Sequence, residues 1–503
     1  MHFRRAALAL AVICPVFVTA TVASAAEESP GAGVLSLLPE DSVTEHTLDT
    51  GHRTISYTAT AGTLSLYGQD GAVSAKIFYT AYVAKDGAAD RPLTFAFNGG
   101  PGAASAYLNL GLVGPRILDF GPDGHDGTAA KLVDNKQSWL DFTDLVLIDP
   151  VGTGWSRPAK ADDASSFYGV RQDAESLAKA IALYVTHNNR ASSAKYILGE
   201  SYGGFRAAKV ASALKDSQGI LTSGIVMVSP LIEGQLLFGA NRFALGAAFQ
   251  LPSLAAAELE RRNAFSEEAV AQAEKFAMTD YLTTLAGPTP TGEAARSFYT
   301  KVSELTGIPV DVVAKGRGFL SDSYVKHSID GDRVVSPYDA AFTVPDAYPE
   351  SGSDRGDDPV LDGFTRAYAG SFANYARNEL GFKTEMTYTL LSGDVNSRWE
   401  WGGERGGGSR SQASATDDIR DLLSLTPSFR LLVAQGYSDI VTPYSINRYV
   451  VDHLPPKLAA DRVALNLYRG GHMFYTRDNS RIEFSADAKA FYARGHNQTA
   501  PQD

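Results

Sequence analysis

Three residues of this 503-residue chain have the types and settings that hydrolytic chemistry needs. They are Ser201 in Gly199-Glu200-Ser201-Tyr202-Gly203, Asp439 closing Gly436-Tyr437-Ser438-Asp439, and His472 in Gly470-Gly471-His472-Met473. A serine hydroxyl is a poor nucleophile until a base takes its proton, and a histidine base needs a carboxylate to orient it. Gly-x-Ser-x-Gly alone is a weak signal, because chance gives roughly 0.4 matches per chain of this length and composition. A turn serine between two packing glycines would read the same way. The neighbours decide the matter. Lys195-Tyr196-Ile197-Leu198 reads as a strand running in, and residues 204–210 read as a helix running out. In that setting a strained turn lifts the hydroxyl above a sheet. Asp439 and His472 lie just past predicted strands at 431–434 and 463–468, where parallel sheets build their sites.

Of nine histidines, His472 alone has this context. His2 falls in a leader, and His46 and His52 precede the core. His187, His327, His453 and His496 read as helix or loop surface residues, and His125 as part of a turn rather than a metal ligand.

An acyl-transfer site also needs two backbone N–H groups aimed at the developing oxyanion. Tyr202, the residue after the nucleophile, supplies one. The other comes from a loop whose missing side chains let its backbone approach, and Gly100 in Asn98-Gly99-Gly100-Pro101-Gly102 fits. A second glycine-rich loop, residues 149–156, lacks the Gly-Lys-Ser/Thr of a phosphate loop and reads as a structural and pocket-lining turn.

Positioning these groups requires a sheet. Short apolar runs at 93–97, 145–148, 196–198, 225–228, 431–434 and 463–468 alternate with helical patterns, as βα units do. Most are continuous runs, which suits strands covered on both faces. Residues 173–186 place Leu177, Ile181 and Tyr184 on one helical stripe. From 236 to 384 the chain turns Ala- and Glu-rich, with helical stretches such as 255–277 and few convincing strands. The division is therefore a signal peptide at 1–25, an α/β core at 26–235 and 385–503, and a helical cap insertion at 236–384. Residues 351–358 and 402–414 read as exposed loops.

The motifs Asn-Gly-Gly-Pro-Gly at 98–102, Asp-Pro-Val-Gly-Thr-Gly-Trp-Ser at 149–156, Gly-Glu-Ser-Tyr-Gly-Gly at 199–204, Gly-Tyr-Ser-Asp at 436–439 and Gly-Gly-His-Met at 470–473 resemble the serine carboxypeptidase family, in its order and over about residues 90–480. The likeness is greatest to its cysteine-poor bacterial branch. This resemblance implies an α/β-hydrolase fold, with a mostly parallel twisted sheet, helices on both faces and a helical cap. It implies removal of C-terminal residues from peptides through an acyl-enzyme. Ser201, Asp439 and His472 would form the triad, and Gly100 and Tyr202 the oxyanion hole. Asn98, Gly99 and Glu200 would bind the substrate's terminal carboxylate, Glu200 as a donor when protonated. Two positions depart from the family. Leu112 stands where familiar members have a second glutamate, and Ala103 replaces a cysteine. A serine esterase or an acyltransferase on the same fold, and a non-catalytic hydrolase-like binding protein, remain alternatives.

Lys+Arg 45 against Asp+Glu 57 gives a net charge of −12, which disfavours nucleic acid as a partner. Arg4 and Arg5, the apolar run 6–22 and Ala23-Ser24-Ala25 read as a cleaved export signal, so a periplasmic or secreted bacterial setting is expected. The one cysteine, Cys14, lies in that signal, leaving no disulfide and no cysteine-ligated metal. No later apolar run reaches the ~20 residues of a membrane span. No cofactor or metal is expected, and the partners are peptides with a free C-terminus.

Overall fold

The computed structural model describes residues 33–121, 124–329, 331–402 and 408–497. The expected signal peptide and its cleavage site lie outside these residues. Fourteen strands occur among them: β1 (Ser42–Asp49), β2 (Thr54–Tyr67), β3 (Val73–Ala84), β4 (Leu93–Phe97), β5 (Arg116–Asp119), β6 (Lys131–Asp134), β7 (Asp144–Ile148), β8 (Arg157–Pro158), β9 (Lys195–Glu200), β10 (Gly224–Val228), β11 (Arg333–Ser336), β12 (Asp339–Pro345), β13 (Arg430–Gly436) and β14 (Val463–Tyr468). The main sheet runs β1-β2-β3-β7-β4-β9-β10-β13-β14, with the short β8 pairing β3. From β7 to β14 every neighbour is parallel. β1, β2 and β3 form an antiparallel meander that joins β7.

The six predicted strands are therefore the six parallel ones, and their sequence explains why. Each is apolar on both faces. Leu145 and Leu147 of β7 enter one buried cluster while Val146 and Ile148 enter the other, and β9, β10 and β13 divide their side chains in the same way. Burying each such side chain contributes roughly 1.5–3 kcal/mol, so β7, β4, β9, β10 and β13 hold the interior of the sheet, while the half-buried β14 closes its edge. The helix Val170–His187 buries Leu177, Ile181 and Tyr184, the stripe read from the sequence, against one face.

Between β10 and β13 the chain leaves the sheet. Helices Ala244–Arg261, Glu267–Phe276, Gly292–Thr306 and Ala367–Asn378 dominate this segment. The predicted helix at 255–277 is broken, because Asn263 takes a left-handed φ of 54° and Ser266 caps a new helix with its side chain on the Ala269 N–H. The segment also holds the two-stranded hairpin β11–β12, which the sequence reading passed over. A third buried cluster, around Leu251, Leu254, Tyr281 and Val302, takes in Ile440 of the β13–β14 connection.

Candidate active site

Parallel strands send their carboxyl ends to one edge, and β4, β9, β13 and β14 each deliver one motif there. Ser201 follows β9 and precedes the helix Tyr202–Ala213, with φ 61° and ψ −127°. A side-chain-bearing residue in such a region costs on the order of 1–3 kcal/mol and persists only when its surroundings hold it. They do so here. The Ser201 N–H donates to the Val228 carbonyl at 2.8 Å, and its carbonyl accepts from Leu231 N at 3.1 Å. The motif's glycines answer to close approach: a Cβ on Gly199 would lie 1.9 Å from the Gly203 carbonyl, and one on Gly203 would lie 2.7 Å from the Phe97 carbonyl.

Asp439 is fully buried and its Oδ2 lies 2.8 Å from His472 Nδ1. The Thr442 N–H and hydroxyl donate to the two carboxylate oxygens at 3.0 and 2.8 Å, which fixes the carboxylate plane. With Nδ1–H directed at Asp439, Nε2 is the acceptor nitrogen, and His472 lines the same cavity as Ser201. Burial opposes a charge on His472, but the charge of Asp439 and its hydrogen bond outweigh burial and raise the histidine pKa. The hairpin turn between β11 and β12 braces both loops. Tyr338 accepts the His472 N–H at 2.6 Å and sets its ring edge-on to the imidazole at 5.2 Å, and the Ser438 hydroxyl donates to Asp339 at 2.7 Å. Nothing in the local sequence announces this brace.

The loop after β4 lies over the start of the helix Tyr202–Ala213. A Cβ on Gly99 would fall 2.5 Å from Tyr202 N, and Gly100 takes φ +98°, so both glycines are needed. The Tyr202 N–H heads its helix and has no i−4 partner, which leaves it available to an oxyanion. Arg206, one turn into that helix, ties the loop down. Its guanidinium donates to the Asn98 carbonyl and, at 2.6 Å, to buried Asp173, and it lies 5.0 Å from the Tyr202 ring centre. Sequence reading saw Arg206 only as part of a helix.

Asn98 and Glu200 meet directly, the Asn98 amide donating to Glu200 Oε2 at 2.5 Å. The Tyr475 hydroxyl stands 2.9 Å from each Glu200 oxygen. Burial pushes the Glu200 carboxyl up to about 7, although His472, Tyr475 and Asn98 all favour its charged form. Leu112 sits in the hydrophobic core and does not line the cavity. The device opposite Glu200 is thus a phenol, not a second carboxyl, and its only sequence signal was a tyrosine three residues after His472.

These groups share a cavity of about 800 Å³. Asn98, Gly99, Gly100, Glu200, Ser201, Tyr202 and His472 line it, while Asp439 stands behind His472. The segment between β10 and β13 forms the opposite wall with Phe238, Gln250, Tyr324, Tyr338 and Arg366. Residues 149–156 do not reach the cavity, which corrects half of their reading. Asp149 instead accepts the Ser105 N–H at 2.7 Å and Ser156 donates back to the Asp149 carbonyl at 2.6 Å, so the loop is purely structural. His125 stacks on Phe342 at 4.4 Å, as a turn residue can. Among the described residues no group of three or more His, Cys, Asp or Glu is arranged to hold a metal.

Residues 56–233 match the serine carboxypeptidase family (Peptidase_S10). Over 142 residues the chain is 31% identical to serine carboxypeptidase-like 35 of Arabidopsis thaliana, covering 28% of each protein. Over 147 residues it is 31% identical to serine carboxypeptidase-like 29 of the same plant, covering 28% of this chain and 29% of that one. The matched part is thus under a third of these relatives' length. The structure superposes on a prohormone-processing carboxypeptidase from Saccharomyces cerevisiae with a TM-score of 0.54, covering 92% of this chain and 95% of that one at 16% identity. The fold is that of the α/β-hydrolases, a mixed, mostly parallel sheet flanked by helices.

Proposed function

We propose that this chain, whose residues 56–233 match the serine carboxypeptidase family, is a serine carboxypeptidase that releases C-terminal residues from peptides. The observation that carries the reading is the Asn98–Glu200 pair, backed by Tyr475, in the wall of the cavity that also holds Ser201 and His472. An esterase needs a nucleophile and an oxyanion hole. Only an exopeptidase has a use for buried donors that receive a free carboxylate beside the scissile bond.

In this reading Ser201 Oγ attacks the last peptide carbonyl while His472 Nε2 takes its proton. Asp439 holds the imidazole in the required tautomer and stabilises the imidazolium that forms. The N–H groups of Gly100 and Tyr202 receive the oxyanion. His472 then protonates the departing amine, and a water, deprotonated by the same nitrogen, releases the acyl group. The Asn98 side chain, the Gly99 backbone and protonated Glu200 receive the substrate's terminal carboxylate. Tyr475 holds Glu200 in place without supplying a second acid. Export to the periplasm or medium, and membership of a cysteine-poor bacterial branch, belong to the same proposal.

The test is hydrolysis of N-blocked dipeptides and of their C-terminal amides and esters. Release of the terminal amino acid from free acids in preference to amides supports the reading. Equal losses on acid, amide and ester in Asn98→Ala and Glu200→Gln would transfer the assignment to an esterase.

A further inference from the structure

The cavity carries charge of the opposite sign to the molecule. The chain has a net charge of −12, yet apart from tyrosines the ionisable side chains lining the cavity are Glu200, His472, Arg366 and Arg410. Burial holds the Glu200 carboxyl up to about 7, so the one acid in the lining is largely neutral below that pH. The two arginines differ. Arg366 forms an ion pair with Asp362, whereas no carboxylate pairs with Arg410 among the described residues.

Arg410 is also specifically held. Its Nη2 donates to the Gly100 carbonyl at 3.1 Å, and its guanidinium lies 5.2 Å from the Trp401 ring centre. Trp401 in turn stands edge-on to Tyr202 at 5.5 Å. The chain of contacts Tyr202–Trp401–Arg410–Gly100 flanks both oxyanion donors. The carboxylate cluster has different neighbours: Asn98, Tyr475 and Glu200 itself. Arg410 lines the cavity beside Gly100, with Trp401 behind it. In the carboxypeptidase reading, a peptide with its terminal carboxylate in that cluster and its scissile carbonyl on the two N–H groups has its penultimate residue on the acyl side of Ser201, the side on which Arg410 would meet it. Half-buried guanidinium donors without a carboxylate partner suit an anionic group that brings its own charge.

Resting on the carboxypeptidase reading, we propose that Arg410 is a specificity residue for an acidic side chain at the penultimate position of the substrate, so that the enzyme works on peptides ending in Glu-X or Asp-X. The planar guanidinium, backed by Trp401, meets the side-chain carboxylate on the acyl side of Ser201.

The experiment compares kcat/KM at pH 6 for N-blocked Glu-X, Gln-X, Leu-X and Lys-X dipeptides, X being the same neutral residue. In the wild-type protein Glu-X should exceed its isostere Gln-X by about 10- to 100-fold, as expected for one charge-assisted pair. Arg410→Gln should bring that ratio to about 1, and Arg410→Glu should invert the order of Glu-X and Lys-X. Labelling of Ser201 by a fluorophosphonate reports whether each variant keeps the site assembled. A wild-type ratio near or below 1 overturns the inference whatever the variants do, and so does an unchanged ratio in a variant that still labels. Turnover of Leu-X with no Glu-X preference leaves the carboxypeptidase reading standing and removes only this one. No release of X from any of the four peptides overturns both.

Discussion

In the proposed function Ser201, Asp439 and His472 act as a unit. In this reading Ser201→Ala and His472→Ala each lose on the order of 10⁴- to 10⁶-fold in kcat, and double variants are little worse than single ones. Steady-state kinetics on a blocked dipeptide checks both statements, and near-normal turnover in His472→Ala would end the assignment. In the same reading Glu200 sets the alkaline side of the pH profile. Its folded pKa is raised to about 7 by burial, so it is protonated below that value and a donor to the substrate carboxylate. Above it an ionised Glu200 repels that carboxylate, and kcat/KM on free acids falls as pH rises through about 7. Glu200→Gln keeps a donor without titrating, so its profile should lose that fall. The missing glutamate at Leu112 suggests a fall at lower pH, but burial alone keeps this carboxyl high.

At the scale of elements, Arg206 ties the nucleophile helix to the oxyanion loop by a hydrogen bond and to the helix Val170–His187 by an ion pair. Arg206 and Asp173 are both buried, and Arg206 also holds the Asn98 carbonyl. Arg206→Ala would leave Asp173 buried without its partner, at a cost of about 3–5 kcal/mol. Urea denaturation should register that loss, and Asp173→Asn in the same background should recover part of it. Gly203→Ala tests the elbow itself. The added Cβ meets the Phe97 carbonyl at 2.7 Å, so the helix must shift away from β4. A loss of about 1–3 kcal/mol from overpacking is expected, with fluorophosphonate labelling of Ser201 slowed more than stability alone accounts for.

For the whole molecule, two buried acids tie stability to pH. Burial raises Asp149 to about 6 and Glu200 to about 7. Below about pH 3 both are protonated whether the chain is folded or not, and they make no difference. As pH rises the unfolded chain ionises them first, so stability falls until the folded pKa values are passed. At about 1.4 kcal/mol per unit, each group accounts for a loss on the order of 3 kcal/mol. Melting temperature should therefore decline between about pH 4 and 7, and Asp149→Asn with Glu200→Gln should flatten that decline. With a single cysteine, Cys14, the chain can form no disulfide within itself, so the protein should keep full activity in reducing agents, and EDTA should leave it unchanged.

Sequence alone determined what depends on local chemistry. Strands apolar on both faces had to be central, which is why 93–97, 145–148, 196–198, 225–228 and 431–434 read as strands without a partner in view; 463–468 read as one too, and it closes the sheet's edge. Glycines in 98–102 and 199–204 marked places where backbones pack closer than a Cβ allows, and those places hold the nucleophile and its donors. The meander β1–β3 was legible but unread: β2 alternates buried and half-buried residues along its length, the period of a strand with one face on the core. Other features have no local signature at all. The hairpin β11–β12 matters because its turn reaches His472 and Ser438 from about 100 residues away, and Tyr475 because helix and loop packing bring its hydroxyl to Glu200. Arg410 lay in what read as an exposed glycine-rich loop, and only the packing of Trp401 on Tyr202 turns its guanidinium into the cavity. Such contacts are set by where the sheet and the segment above it come to rest, and that placement is an outcome of burying three hydrophobic clusters together rather than of any residue's immediate neighbours.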